Sequence, residues 1–102
     1  MNLIELNIQR IVDLCRKHKV KTLAVFGSVL TDRFNDESDV DLLVDFGKVD
    51  HEVFDYASNY FSFRDALESL FNRKVDLIEE RGLRNKYLIA NLNRTKQLIY
   101  AS

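Results

Sequence analysis

Two short stretches of this chain carry residue types that do chemistry at a defined spacing. Asp39 and Asp41 alternate with Val40 at the head of the apolar run "DVDLLVDF". On a strand, residues two apart leave the same face, roughly 6.5–7 Å apart along the backbone. Carboxylates that close repel each other, and a pKa rises unless positive charge lies between them. A divalent cation meets that need, because Mg²⁺ takes hard oxygen ligands and commonly binds one or two carboxylates plus substrate phosphates. Two such ions, roughly 3.5–4 Å apart, activate an attacking oxygen and stabilise a leaving one.

The second stretch is Gly27-Ser28, directly after "TLAVF". A glycine at a strand end allows a tight turn and close backbone approach. A short helix starting near Ser28 would point free N–H groups beyond the strand, which suits an anion such as phosphate. The Ser28 hydroxyl adds a donor. Phosphate donors and metal ligands would then face one cleft, and together they read as a nucleoside-triphosphate site. Asp76, flanked by Val75 and Leu77 in "KVDLI", points away from the core side of its own run. If that strand lies beside 39–46, Asp76 joins the cleft as a metal ligand and as the acceptor of a proton from an attacking hydroxyl.

The elements that must position these residues follow from periodicity. Ile4, Ile8, Ile11, Val12 and Cys15 recur at helical spacing over 3–18. Residues 22–26 read as a strand and "RFNDES" (33–38) as a turn. Residues 39–46 form a second strand with Val40, Leu42 and Val44 on one face. Leu43 lies among the acids on the other face, which argues that both faces are covered. Helical spacing returns over 58–71 through Phe63, Ala66, Leu67, Leu70 and Phe71. Residues 73–80 read as a third strand, and 81–93 as a helix with Leu88, Ile89 and Leu92 inward. The segment 96–101 reads as an edge strand or an ordered tail, and 47–58 has no clear pattern. Strands alternating with helices give an α/β domain of few strands.

Composition narrows the function classes. At 102 residues the chain is expected to be one domain, residues 1–102, with a modest core. A formal net charge of −1 gives no global attraction to nucleic acid or membrane. No apolar stretch approaches the ~20 residues of a membrane span, and the N-terminus lacks the order of a signal peptide. The single cysteine, Cys15, falls on the apolar helical stripe and reads as a buried structural thiol. A cytoplasmic protein is expected.

Gly27-Ser28, ten residues, then Asp39-Val40-Asp41 resembles the Gly-Ser-x10-Asp-x-Asp signature of the polymerase-β-like nucleotidyltransferases. Length and element order resemble the minimal nucleotidyltransferases (MNT) over nearly the whole chain. The resemblance implies a small mixed β-sheet flanked by helices, an α+β-like variant of the α/β class. It implies transfer of a nucleoside monophosphate to an acceptor hydroxyl with release of pyrophosphate and use of two Mg²⁺ ions. Asp39 and Asp41 would bind both metals, Asp76 would complete the catalytic-metal site, and Gly27 and Ser28 would hold the triphosphate. Some MNT proteins are antitoxins that add AMP from ATP to a tyrosine of a HEPN-type ribonuclease toxin. The implied partners are therefore ATP or another NTP and a HEPN-type toxin, in a hetero-oligomer, with neither membrane nor direct nucleic-acid binding. Length agrees, since 102 residues leave little room for an acceptor-binding domain and the acceptor surface would come from a partner. The chain departs from the pattern at Leu30, Thr31 and Asp32, where many relatives carry a small residue, an arginine and a glycine. The departure bears on rate and nucleotide affinity more than on reaction class; Arg33 lies close enough in sequence to substitute but reads equally well as a solvated turn arginine.

Other residues attract attention and are set aside. His18, among Arg16, Lys17 and Lys19 near a helix end, suits the helix dipole, and His51 has no second histidine at ligand spacing. Glu79 and Glu80 read as solvated. Five aromatics, Phe54, Tyr56, Tyr60, Phe61 and Phe63, exceed what one helix face needs, so part of 50–63 is expected to face a partner, while core is the better reading for any single ring. Two rival functions stand beside the transferase that modifies a toxin. One is a module that neutralises its partner by binding alone, and the other is a nucleotidyltransferase that acts on a small-molecule acceptor with a second chain.

Overall fold

A computed structural model describes residues 3–27, 35, 38–48 and 55–102. The helix expected over 3–18 is two helices, α1 (Leu3–Leu6) and α2 (Ile8–Lys17). They part at Asn7, whose side-chain amide donates to the Leu3 carbonyl at 2.9 Å and so competes with the helical ladder. Strand β1 (Thr22–Phe26) is followed by β2 (Val40–Asp45), α3 (Tyr56–Phe71) and β3 (Val75–Glu79). A 3₁₀ turn at Glu80–Gly82 leads to α4 (Lys86–Thr95) and β4 (Gln97–Ala101).

The four strands form one mixed sheet in the order β3-β2-β1-β4, with β2 parallel to β3 and the other pairs antiparallel. The expected small mixed sheet flanked by helices is the observed one. One face carries Leu23, Val25, Val40, Leu42, Val44, Val75 and Leu77, packed against Ile11 and Cys15 of α2 and Phe63 and Leu67 of α3. The other face carries Ala24 and Leu43, closed by Leu92 of α4 with Phe26, Ile78 and Leu83 around them. Leu43 is 3% exposed, so β2 is covered on both faces, as its doubly apolar end requires.

The strand that brings Asp76 to the sheet is an edge strand, and α3 blunts it. Tyr60 donates its hydroxyl proton to the Leu77 carbonyl, and the Glu68 carboxylate accepts from the Val75 N–H at 2.9 Å. These bonds satisfy edge groups that would otherwise invite another strand.

Several expectations need correction. The last helix starts five residues late, because Asn85 is its cap: its side-chain oxygen accepts from the N–H groups of Tyr87 at 2.9 Å and Leu88 at 3.1 Å. Leu88, in the first turn, is 41% exposed, while Ile89 is half-buried and Leu92 is the buried anchor. Segment 96–101 is the edge strand. Residues 47–58 show no single pattern because α3 begins inside them, capped by Asp55, whose carboxylate accepts from the Ser58 N–H at 3.1 Å. Of the aromatics, Phe63 is buried, Tyr56 and Tyr60 pack against the core, and Phe61 is about half exposed beneath the Arg64 guanidinium. Phe54 lies outside the described residues. Most of that cluster is therefore core. Cys15 is buried as expected, and loss of solvent pushes its thiol up to about 12, which removes thiolate reactivity near neutral pH.

Candidate active site

Alternation along β2 places Asp41 and Leu43 on the face that α4 covers, and alternation along β3 places Asp76 and Ile78 there too. The parallel register makes Asp41 and Asp76 direct partners. Adjacent strands lie about 4.8 Å apart, so the two side chains rise side by side. Asp39 stands two residues before Asp41, just ahead of the strand. Leu92 closes the Ala24–Leu43 stretch, and the acids sit towards the start of β2 and β3, with Asp39 and Asp76 exposed and Asp41 half-buried.

Across the sheet, Phe26 is the partner of Asp41, and Gly27 follows it at φ +75°. A Cβ at Gly27 would overlap the Asp41 carboxylate oxygen. The absent side chain is thus what lets that carboxylate lie against the strand end. Gly27 and Asp41, identified from separate motifs, form one contact.

The electrostatics agree with the geometry. Asp41 is pushed up, first by burial, then by the negative charges of Asp76 and Asp39. All three carboxylates therefore share one field, and among the described residues no cation lowers the Asp41 pKa. Among the described residues no three histidine, cysteine or acidic side chains form a ready metal-binding group. The donor set nonetheless fits a hard divalent cation, since it consists of carboxylate oxygens whose mutual repulsion a cation relieves. Ser28, Leu30, Thr31, Asp32 and Arg33 lie outside the described residues, and so does His51.

Sequence reasoning missed Arg73. Its guanidinium donates to the carbonyls of Asn35 at 2.8 Å and Ser38 at 3.1 Å, while the Val40 N–H donates to the Lys74 carbonyl at 3.1 Å. Asp39 is therefore held between two bonds from the connection that precedes β3. No local pattern could have shown this, because Arg73 acts on a segment 35 residues away. Arg73→Gln is expected to leave the fold intact and to lower transfer about tenfold through a loosened Asp39. Activity assays beside a circular-dichroism melt check both halves, and an unchanged rate would remove the positioning role.

Two residues set aside earlier are structural. His18 is buried, with Nδ1 at 2.9 Å from the Leu14 carbonyl and Nε2 at 3.2 Å from the Ser62 hydroxyl. Glu79 and Glu80 are half-buried rather than solvated. Glu80 pairs with Lys96 at 3.3 Å, and Glu79 accepts a hydrogen bond from Tyr56, whose hydroxyl pKa is raised by burial first and by that bond second.

Further along β2, Asp45 pairs with the Arg81 Nε at 2.7 Å and accepts from the Gly47 N–H at 2.8 Å. Burial raises its pKa, yet the Gly47 N–H and the charges of Arg81 and Lys21 more than offset this and hold it below the usual range. A depressed carboxylate stabilises the fold above its unfolded pKa of about 3.9 and loses that contribution as pH falls through the lower folded value. Arg81→Gln is expected to cost at most about 1 kcal/mol at pH 7, since the arginine is half exposed. The difference should close as the solution is acidified past Asp45, which urea melts at neutral and acidic pH will read.

Comparison with known proteins adds family context. Residues 9–99 match the nucleotidyltransferase domain family. The candidate protein adenylyltransferase MJ0128 of Methanocaldococcus jannaschii is 35% identical over 101 residues, covering 91% of this chain and 96% of its own. A second from that organism, MJ1379, is 34% identical over 82% of this chain and 79% of its own. A solved candidate minimal nucleotidyltransferase superposes with a TM-score of 0.74 at 29% identity over 95% of both chains. A complex of a tri-AMPylated Shewanella oneidensis HEPN toxin with its MNT antitoxin shares the fold at a TM-score of 0.65. Identity there is 20%, over 98% of this chain and 74% of that one.

Proposed function

We propose, from the premise that this chain belongs to the nucleotidyltransferase family and is a minimal nucleotidyltransferase, that it transfers AMP from ATP to a tyrosine hydroxyl of a partner HEPN-type toxin. The observation that carries the site is the register of Asp41 beside Asp76, with Asp41 lying over Gly27. Protein adenylylation is supported by relatives assigned to that activity. The HEPN-type acceptor is supported by a fold shared with an MNT antitoxin seated on such a toxin.

In this reading Asp39, Asp41 and Asp76 hold two Mg²⁺ ions, which when bound supply positive charge to the phosphates and to the attacking and leaving oxygens. Gly27 and Ser28 would hold the triphosphate. Asp76, the exposed member of the in-register pair, lies where an acceptor hydroxyl can approach and takes its proton. The tyrosine oxygen bonds to the α-phosphorus, the bond from that phosphorus to the bridging oxygen breaks, and pyrophosphate leaves with the electron pair. The proton ends on the Asp76 carboxylate and passes to water. The protein works in the cytoplasm as one domain spanning 1–102, with its partner supplying the acceptor surface.

Co-expression with the protein encoded beside it, followed by intact mass measurement of that partner, tests the reading. Gain of whole AMP units that disappears with Asp39→Asn/Asp41→Asn is the expected result. A partner that co-purifies unmodified with the wild-type chain would replace it with neutralisation by binding. Transfer to a small molecule but not to the protein would assign a different acceptor.

A further inference from the structure

The end of the sheet away from the three acids gathers most of its charge from lysine and arginine. β2 and β3 run parallel, so both leave the Asp41–Asp76 pair and both finish beside residues 45–48 and 79–82. Two clefts open there. One, of about 510 Å³, is lined by Asp45, Gly47, Lys48, Tyr56, Glu79 and Arg81, among others. The second, of about 720 Å³, shares Phe46, Gly47, Lys48 and Arg81 and adds Arg16, Lys19, Lys21 and Tyr100. Five exposed cationic side chains thus surround one depression: Arg16, Lys19, Lys21, Lys48 and Arg81. The carboxylates facing the two clefts among the described residues are Asp45 and Glu79, with Ser102 at the rim. The whole chain has a net charge of −1, so this is charge segregated to one end, not a generally basic surface.

Part of this has a structural reason. Arg16 sits in the last turn of α2, where a cation complements the helix dipole. Arg81 lies outside that helix and gives its Nε to Asp45 at 2.7 Å, which leaves the rest of its guanidinium fork at the cleft, whereas Lys21 and Lys48 have no such ion pair among the described residues. Lys21 is held firmly: its N–H donates to the Asp45 carbonyl at 2.8 Å, and its carbonyl accepts from the Ser102 N–H at 2.9 Å. Gly47, at φ +73°, leaves open the space beside which the Lys21 stem runs, with Cδ 3.4 Å from where a Cβ would stand. Lys19, at φ 59°, follows the α2 C-cap in a left-handed helix stop, in which the Val20 N–H donates to the Cys15 carbonyl at 2.9 Å and the Lys19 N–H to the Arg16 carbonyl at 3.3 Å. The helix stop fixes where Lys19 leaves the backbone, and Lys21 is tied to β2 and runs beside Gly47, so both stems are anchored at the cleft.

From this juxtaposition we propose that the cleft between the ends of β2 and β3 and the end of α2 binds a small polyphosphate ligand. Several lysines and a half-exposed arginine around a recess match adjacent phosphates, since lysine acts as a point charge and arginine as a planar fork. A recess of this volume suits a small molecule. Tyr100 on its wall offers a ring to a nucleoside attached to those phosphates. Inorganic polyphosphate and a nucleoside polyphosphate share this chemistry. The site stands apart from the acids at the other end of the strands, which repel free phosphate until a cation neutralises them.

Isothermal titration of the full chain with tripolyphosphate, in EDTA at low salt, tests the site. Saturable binding is expected, weakened about tenfold or more by Lys21→Gln/Lys48→Gln, restored by Lys21→Arg/Lys48→Arg, and unchanged by Asp41→Asn. Amide shifts at Lys21, Gly47 and Lys48, without shifts at Asp39–Asp41, locate it independently of any stability change. ATP in place of tripolyphosphate identifies the source: equal affinity assigns the phosphates alone, and tighter binding lost in Tyr100→Ala assigns a nucleoside. Absence of binding, or binding that the double glutamine variant retains, overturns the proposal. The wild-type transfer assay is separate, so failure of the transferase reading leaves this result readable and the reverse also holds.

Discussion

Asp41→Asn is expected to remove nucleotidyl transfer and at the same time to raise the melting temperature of the metal-free protein. Both effects follow from one placement. Asp41 is half-buried beside Phe26, in register with Asp76 and two residues from Asp39, and burial and both neighbouring charges raise its pKa. A carboxyl whose folded pKa is raised favours the fold below its unfolded pKa and loses that advantage as pH rises through the folded value. At pH 7 the charged side chain therefore works against folding, and a neutral amide of the same shape does not. A higher melting temperature is expected, by a margin that should shrink as the pH is lowered. Transfer should fall at least a hundredfold, within the range that one positioned charged group contributes. Thermal melts in EDTA and a pyrophosphate-release assay on the same preparation decide the matter. A variant that transfers at the wild-type rate would show that Asp41 is not part of the site. A variant less stable than wild type would show that Asp41 is a structural carboxylate.

Gly27→Ala carries the next largest effect and separates fold from function. Gly27 stands at φ +75°, where an alanine costs roughly 1–2 kcal/mol. A modest loss of stability is thus expected from the backbone alone. The larger consequence falls on Asp41, whose carboxylate lies where the new methyl group would go. The end of an aspartate side chain can swing aside cheaply, so the fold survives, but the carboxylate leaves its place beside Asp76. Transfer should drop by about tenfold or more while the protein remains folded at the assay temperature, since misplacement of a reacting group by about 1 Å can cost far more than that. If activity falls only in proportion to the unfolded fraction, the Gly27–Asp41 contact has no functional weight and the glycine serves the turn alone.

Much of the site is legible in the amino-acid sequence because its signals are local. Two carboxylates at spacing two on a strand, a Gly-Ser pair at the end of another, and alternating apolar residues are short-range patterns. They specify which face each side chain takes without reference to the rest of the chain. The same holds for Cys15 on its helical stripe and for the coverage of both faces of β2, which Leu43 announces. Local signals also mislead. The apolar residues 88, 89 and 92 share a helical face in principle, but Leu88 lies in the first turn of α4, where the sheet does not cover it. The aromatic cluster divides: α3 buries Phe63, leans Tyr56 on the core and uses Tyr60 to bind the open edge of β3, while Phe61 stays about half exposed.

By itself the sequence determined the residue types, their spacing, the strand faces and the class of chemistry. Tertiary structure alone decided that β3 lies parallel to β2 with Asp76 level with Asp41, that Asp41 rests on Gly27, and that Arg73 holds the approach to Asp39. It also gathered Lys21, Lys48 and Arg81 into one cleft from three distant segments. The reason is physical: periodicity states which way a side chain points from its own backbone. Which side chains meet depends on strand order and register, and these are set by the burial of residues far apart in the chain.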